Sequence, residues 1–210
     1  MKKTLSIILL LLFSGSASAV EFEGSVGAVS NYVWRGITQT DSNPAVQGSI
    51  GLTTESGLYV NAWGSQVDYG NDTTAEVDFT VGFSKAINDT ISLDVGYIKY
   101  SYLQDEVDFA DDIAEVYGTL SIGPVSGSVY RDFDNETNYY RGTVTPSAFM
   151  EDAFVDVSGF VGRNDNSDRD VGIIISKDIK GINISYMFTD TNAEVEDDST
   201  THSIGLFYNF

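Results

Sequence analysis

The sequence predicts an all-β fold: a transmembrane antiparallel up-and-down β-barrel of about 12 strands, following a cleaved signal peptide. Three observations predict it. Apolar and polar residues alternate with a period of two along most of the chain, the connections alternate between short and long, and the last strand alternates up to a terminal aromatic, Phe210.

The first 19 residues have the layout of a secretory leader. Lys2 and Lys3 form a positive start, residues 5–13 are apolar but too few to span a bilayer comfortably, and Ala17-Ser18-Ala19 offers the small-residue cleavage pattern. The alternative is an anchored helix. Cleavage after Ala19 leaves residues 20–210 as one barrel domain, with no further apolar run near 18 residues.

Strands are expected at residues 22–35, 44–55, 58–68, 74–84, 90–101, 112–122, 124–133, 138–146, 151–163, 169–178, 181–190 and 200–210. Ala75, Val77, Phe79, Val81 and Phe83 alternate with Glu76, Asp78, Thr80 and Gly82; Ile182, Ile184, Tyr186 and Phe188 repeat the pattern. In the third and eighth strands alternation is poor, since Tyr59 and Trp63 oppose Leu58, Val60 and Ala62, and the register stays open there. Short connections fall at 55–57, 85–89, 123–124, around Pro146 and at 178–181; longer polar ones fall at 36–43, 69–73, 102–111, 134–137, 164–168 and 191–199. Short turns on one side and long loops on the other fit an outer-membrane barrel. An even strand number then puts both termini on the periplasmic side.

A soluble β-sandwich or lipocalin-like barrel also alternates, so the terminal features matter. His202, Ile204, Leu206, Tyr208 and Phe210 share one parity, which resembles the signal read by the barrel assembly machinery. Phe22 and Trp34 share a face of the first strand, and twelve residues at about 3.3 Å each, tilted by about 40°, cover roughly 30 Å of membrane normal. Phe22, Tyr32, Trp34, Tyr208 and Phe210 are therefore the candidates for the membrane girdles.

The opposite parity defines the candidate lumen: Glu23, Asn31, Arg35, Gln47, Glu76, Asp78, Asp94, Glu115, Asp132, Arg141, Asp156 and Asp170. An acidic, water-filled lumen raises the local concentration of cations, and Arg35 facing several carboxylates sets up a transverse field. Asp152 has the same parity, as do the bulky Tyr59, Trp63, Tyr117, Tyr130, Phe154, Phe160 and Phe207, which narrow any pore.

Composition excludes other classes. Thirty-one acids against eleven bases, a net charge of -20, leave nothing to neutralise a nucleic-acid backbone. Without cysteine there are no disulfides and no thiol chemistry. No phosphate loop, metal motif or cofactor motif is present, and the single histidine, His202, has lipid-side parity. An enzyme is not expected; the alternative is a rim hydrolase built on His202. Acids in the long loops, such as Asp165, Asp168 and the Asp132-x-Asp134-x-Glu136 series, supply hard oxygen ligands without the glycine and glutamate spacing of a calcium loop.

Three stretches also resemble a known family. Ser30 to Asp41 reads SNYVWRGITQTD, Pro44 to Gly51 reads PAVQGSIG, and Ser56 to Tyr69 reads SGLYVNAWGSQVDY. The succession Tyr-x-x-Arg-Gly-x-x-Gln-Thr, Pro-Ala-x-Gln-Gly and Gly-x-Tyr-x-x-x-Trp is similar to the TorF family of porins, most closely over about residues 22–100. The resemblance implies an outer-membrane barrel with no catalytic residues and no defined substrate.

The expected function is a narrow passive channel for small polar solutes, preferring cations, in the bacterial outer membrane. Its expected partners are outer-membrane lipid and lipopolysaccharide, the assembly machinery through the C-terminal strand, and the solutes or cations themselves. The alternative is a non-conducting structural or adhesive barrel whose acidic loops bind cations.

Overall fold

The computed structural model describes residues 19–103, 113–150, 152–166, 168–192 and 199–210. The predicted leader, apart from Ala19, lies outside the described residues, as do the acids at 105–112 and 194–198. The chain forms strands β1 (Val20–Val29), β2 (Val33–Trp34), β3 (Ile37–Thr38), β4 (Ala45–Thr54), β5 (Leu58–Gln66), β6 (Ala75–Ala86) and β7 (Ile91–Leu103). There follow β8 (Ile113–Ile122), β9 (Val125–Asp132), β10 (Asn138–Val144), β11 (Asp156–Asn164), β12 (Arg169–Ile179), β13 (Ile182–Thr191) and β14 (Ser199–Asn209). Strand β1 and strands β4 to β14 pair antiparallel with their neighbours, and β1 closes on β14, giving a twelve-stranded closed barrel; β2 and β3 form a separate hairpin.

Closure runs through the C-terminus. Ser25 to Val29 pair with Asn209 to Gly205, and the last residue extends the seam, with Gly24 N donating to Phe210 O at 2.9 Å and Phe210 N to Gly24 O at 3.0 Å. Among the described residues every wall strand pairs with a neighbour on each side, although at the seam β1 and β14 pair over only part of their length.

The two faces separate as the alternation requires, but in the opposite sense to a soluble domain. Val26, Ile50, Phe79, Val161 and Ile204 point outward and are each more than half exposed. Gln47, Glu76, Glu115, Asp170 and Thr189 point inward and are buried. An apolar band of this extent is unstable against water and matched to hydrocarbon. This is the transmembrane barrel, and it removes the soluble sandwich and lipocalin alternatives.

The inward aromatics settle against the wall. A Cβ added at Gly82 would meet the Tyr59 ring at 2.4 Å, one at Gly96 the Tyr117 ring at 2.6 Å, and one at Gly172 the Phe160 ring at 2.4 Å. In each case the glycine is the direct cross-strand partner of the aromatic. The ring lies flat over the gap left by the missing side chain, so these residues thicken the wall more than they fill the lumen. Tyr59 and Trp63, whose register was open in the sequence, face inward with Asp78 and Gly82 as their partners.

Two expected strands differ. The first was expected to run to residue 35, but the wall ends at Val29 and the chain turns inward. The ninth was expected from residue 151, but β11 starts at Asp156. Pro146 lacks the N–H that a ladder needs and opens a single 3-10 turn, Pro146–Phe149. Ser147 Oγ then accepts a hydrogen bond from Val157 N at 3.2 Å, which fixes where the wall resumes. Asp152 and Phe154 are therefore exposed in this connection, and Phe154 lies under Lys177 Nζ at 3.2 Å instead of facing the lumen.

Candidate functional site

The segment between β1 and β4 builds the site. Arg35 and Gly36 both have left-handed backbones, φ 49° and 86°, and join β2 to β3 as a two-residue hairpin turn with Trp34 opposite Ile37. At Gly36 no side chain fits, because a Cβ would lie 2.9 Å from the Cβ atoms of both Asp170 and Thr191. Asn31 is the clasp at the base, its Oδ1 accepting from Thr38 Oγ1 at 2.6 Å and Thr40 Oγ1 at 3.1 Å. Its carbonyl accepts from Ser203 Oγ of β14 at 2.6 Å.

The hairpin touches strands all round the ring. Tyr32 packs edge-on to Trp63 of β5 with centroids 5.2 Å apart, and faces Glu76 of β6. Trp34 packs on Tyr100 of β7 at 6.1 Å. Arg35 Nη2 donates to Glu115 Oε2 of β8 at 2.7 Å. Its guanidinium lies 5.1 Å from the Tyr130 ring of β9 and 4.2 Å from the Tyr139 ring of β10. Gly36 abuts β12 and β13. One short hairpin reaches all of these strands only from inside the barrel, so it lies across the lumen toward the long-loop end.

Arg35 is the centre of this constriction. Tyr100 donates to the same Glu115 Oε2 at 2.9 Å, and the Trp34 ring lies 4.2 Å from the guanidinium. Glu115, Asp170 and Glu76 are almost fully covered; Asp170 Oδ1 accepts from Tyr139 at 2.9 Å. Asp78 is flanked by Trp63 and Tyr100 as its cross-strand partners. Burial, with Glu76 and Asp78 close by, pushes the Tyr32 phenol up from its ordinary value, so it stays a donor toward these acids. On the β9–β12 side a cavity of about 220 Å³ remains, lined in part by Arg35, Asp132, Asn138, Tyr139, Arg169 and Asp170.

The other lumen candidates lie outside this centre. Gln47 Nε2 donates to Ser65 Oγ at 3.1 Å beside the hairpin base. Asp94 sits lower, accepting from Tyr59 at 2.9 Å, with the Tyr59 and Tyr117 hydroxyls hydrogen-bonded to each other. Arg141 lies 3.9 Å over the Phe160 ring. Asp156 pairs with Ser176 at the start of β11, and Glu23 with Gly51 near the start of β1. Asp132 is consumed locally: Asp134 N, Asn135 N and Asn135 Nδ2 donate to its carboxylate at 2.8–3.0 Å. Asp165 likewise accepts from Asn138 N and Nδ2. Among the described residues no three His, Cys, Asp or Glu side chains converge.

Of the girdle candidates, Phe22, Tyr208 and Phe210 face outward and are more than half exposed, with Phe210 stacked on Tyr208 at 6.1 Å. Tyr32 and Trp34 differ: both lie in the hairpin, against inward-facing rings. The parity count assumed an unbroken pleat from Phe22 to Trp34, and the chain leaves the wall after Val29. The signal that marks the break is Arg35-Gly36 itself, a turn pair inside a run that otherwise alternates. His202 faces outward, its Nδ1 2.6 Å from the Tyr186 hydroxyl.

The barrel is similar in fold to solved porin structures. It superposes on "KdgM porin" with a TM-score of 0.63 at 10% identity, covering 90% of this chain and 99% of that one. A second structure, "KdgM porin in complex with disordered oligogalacturonate", gives 0.61 at 10% identity over 90% and 99%. Pseudomonas aeruginosa OpdQ gives 0.49 at 9% identity, covering 91% of this chain and 67% of that one. No curated protein sequence matches the chain. One family description, "Bacterial protein of unknown function (Gcw_chp)", matches residues 14–207, nearly the whole barrel together with the hairpin inside it, and the chain belongs to that family.

Proposed function

We propose that the protein is a narrow passive channel of the bacterial outer membrane, admitting small polar solutes with a preference for cations, with both termini periplasmic. The observation that carries this reading is the inward hairpin, which sets Arg35 against Glu115 in a lumen whose other walls carry Glu76, Asp78 and Asp170. A lumen with fixed carboxylates concentrates cations, and a hairpin across it limits the size of what passes. The porin fold of KdgM supports the channel; its recorded ligand does not transfer easily. Oligogalacturonate is a chain of sugar acids, and the acidic lining here opposes such a solute.

The TorF resemblance belongs to the same proposal. Tyr32, Arg35, Gly36, Gln39 and Thr40, the residues of its first motif, are the hairpin, and each has a contact that holds it. Gln39 receives a hydrogen bond from Tyr69, and Thr40 from the Tyr32 amide. No part of the reading requires catalysis.

Single-channel current of the refolded protein in a planar bilayer, under a KCl gradient, tests it. Stable steps with a cation-selective reversal potential are expected, with selectivity reduced in Glu76→Gln and Asp78→Asn. A second reading, a non-conducting barrel, is favoured by the same hairpin if its seat leaves no path. A correctly folded, heat-modifiable barrel without steps would establish that reading in place of the channel.

A further inference from the structure

Arg35 shows what kind of group the lumen wall holds. Its guanidinium lies 4.2 Å from the Tyr139 ring and 5.1 Å from the Tyr130 ring. Glu115 Oε2 accepts from it at 2.7 Å and from the Tyr100 hydroxyl at 2.9 Å. The same ingredients recur lower in the lumen with no arginine among them. Tyr130 is the cross-strand partner of both Tyr139 and Tyr117, and the row continues from Tyr117 through Gly96 and Gly82 to Tyr59. The Tyr130 ring stacks on that of Tyr117 with centroids 5.5 Å apart. The Tyr117 ring lies over Gly96 and the Tyr59 ring over Gly82, and their hydroxyls meet. Asp94, two residues before Gly96 on β7, stands beside that junction. Tyr59 donates to its Oδ1 at 2.9 Å, and Tyr117 faces it too. The strand partners of Asp94 are the neutral Ser84 and Thr119, and among the described residues no lysine or arginine forms an ion pair with it. Asp94, Tyr59 and Tyr117 are each partly exposed, whereas Glu115 is buried.

We propose that Asp94, Tyr59 and Tyr117 form a binding site for a small organic cation, a guanidinium or alkylammonium group, on the short-turn side of the hairpin. The ring faces attract a weakly hydrated cation through their quadrupole, and the carboxylate pairs with it. A phenol on one oxygen does not use up a carboxylate, which has about four acceptor sites. Glu115 holds both Tyr100 and Arg35 on a single oxygen. An inorganic cation keeps its water shell and gains less from the rings, and a neutral solute has no charge for either contact. The inference rests on the open lumen of the channel reading for access, and it names the solute class that the cation preference would favour.

Binding is the readout. Methylguanidinium is titrated onto the refolded full barrel in a non-ionic detergent, and saturation-transfer NMR follows its methyl protons. Saturable binding with millimolar half-saturation is expected. It should weaken at least about fivefold in D94N and at least about threefold in Y117L. Y117F, which keeps the ring, and D89N, in the exposed turn before β7, should match the wild type. Methylurea, the neutral isostere, should not bind. Absence of saturable binding, binding unchanged in D94N, loss in D89N, equal binding of methylurea, or displacement by equimolar Na⁺ overturns the site. Heat-modifiable migration checks that each variant is folded, and should D94N or Y117L misfold, the other decides. Channel steps without methylguanidinium binding would keep the channel and overturn the site; binding without steps would keep the site and overturn the channel.

Discussion

Replacing Arg35 with alanine removes the ion pair that joins the hairpin tip to β8. The pair it breaks is 2.7 Å long, with Glu115 3% exposed at its side chain and Arg35 17%. Removing one partner of a fully buried pair costs about 3–5 kcal/mol, and an exposed pair is worth about 0–1 kcal/mol. Since Glu115 is covered and Arg35 is partly wet, a cost of about 2–3 kcal/mol is expected for the hairpin seat. Loss of the cation contacts with Trp34 and Tyr139, both at 4.2 Å, is included in that figure. At 1.4 kcal/mol per factor of ten, the unseated state becomes about 30- to 140-fold more populated. Hydrogen exchange of the refolded barrel reads this directly. The Gln39 amide, bonded to Tyr32 O at 2.7 Å inside the hairpin, should exchange faster by that factor, and the Phe210 amide in the closing seam should not change. Glu115→Gln should have a smaller effect, because its amide oxygen still accepts from Arg35 and Tyr100. Unchanged exchange at Gln39, or equal acceleration at Phe210, would refute the reasoning: the first would mean the hairpin is held elsewhere, the second that Arg35 stabilises the whole barrel.

Three further substitutions separate the faces of the wall. Gly96→Ala puts a Cβ 2.6 Å from the Tyr117 ring and should swing that ring into the lumen, lowering melting temperature and single-channel conductance together. Ile173→Arg, mid-strand on the outward face of β12, should destabilise the barrel by about 2–4 kcal/mol in bilayers, measured by denaturant titration. Thr119→Arg, inward and opposite Asp94, should leave stability within about 0.5 kcal/mol and shift the reversal potential toward anions.

The alternation of residues such as Val77, Phe79 and Val81 with Glu76, Asp78 and Thr80 was enough to predict strands, their number and the two faces of the wall. That pattern is local: a pleat repeats every two residues, and a face of one kind must meet lipid or lumen. A turn at Pro146 was expected, but its length, with β11 starting only at Asp156, and the path after Val29 were not legible in the same way. A period-two count carries its parity through any interruption, so it put Tyr32 and Trp34 with Phe22, while the chain had already left the wall. The residue types of the site were visible as Tyr32, Arg35, Gly36, Gln39 and Thr40, yet as a motif without a shape.

Sequence by itself determined the closed, lipid-facing barrel, because each strand's preference is set by its own residues and by its nearest neighbours. Only the tertiary structure decided what occupies the lumen. Arg35 and Glu115 are 80 residues apart, and nothing in either local sequence states that they meet. That pairing exists because ring closure brings β5 to β13 around one hairpin, and a partly buried arginine finds the carboxylate that the closed wall presents to it.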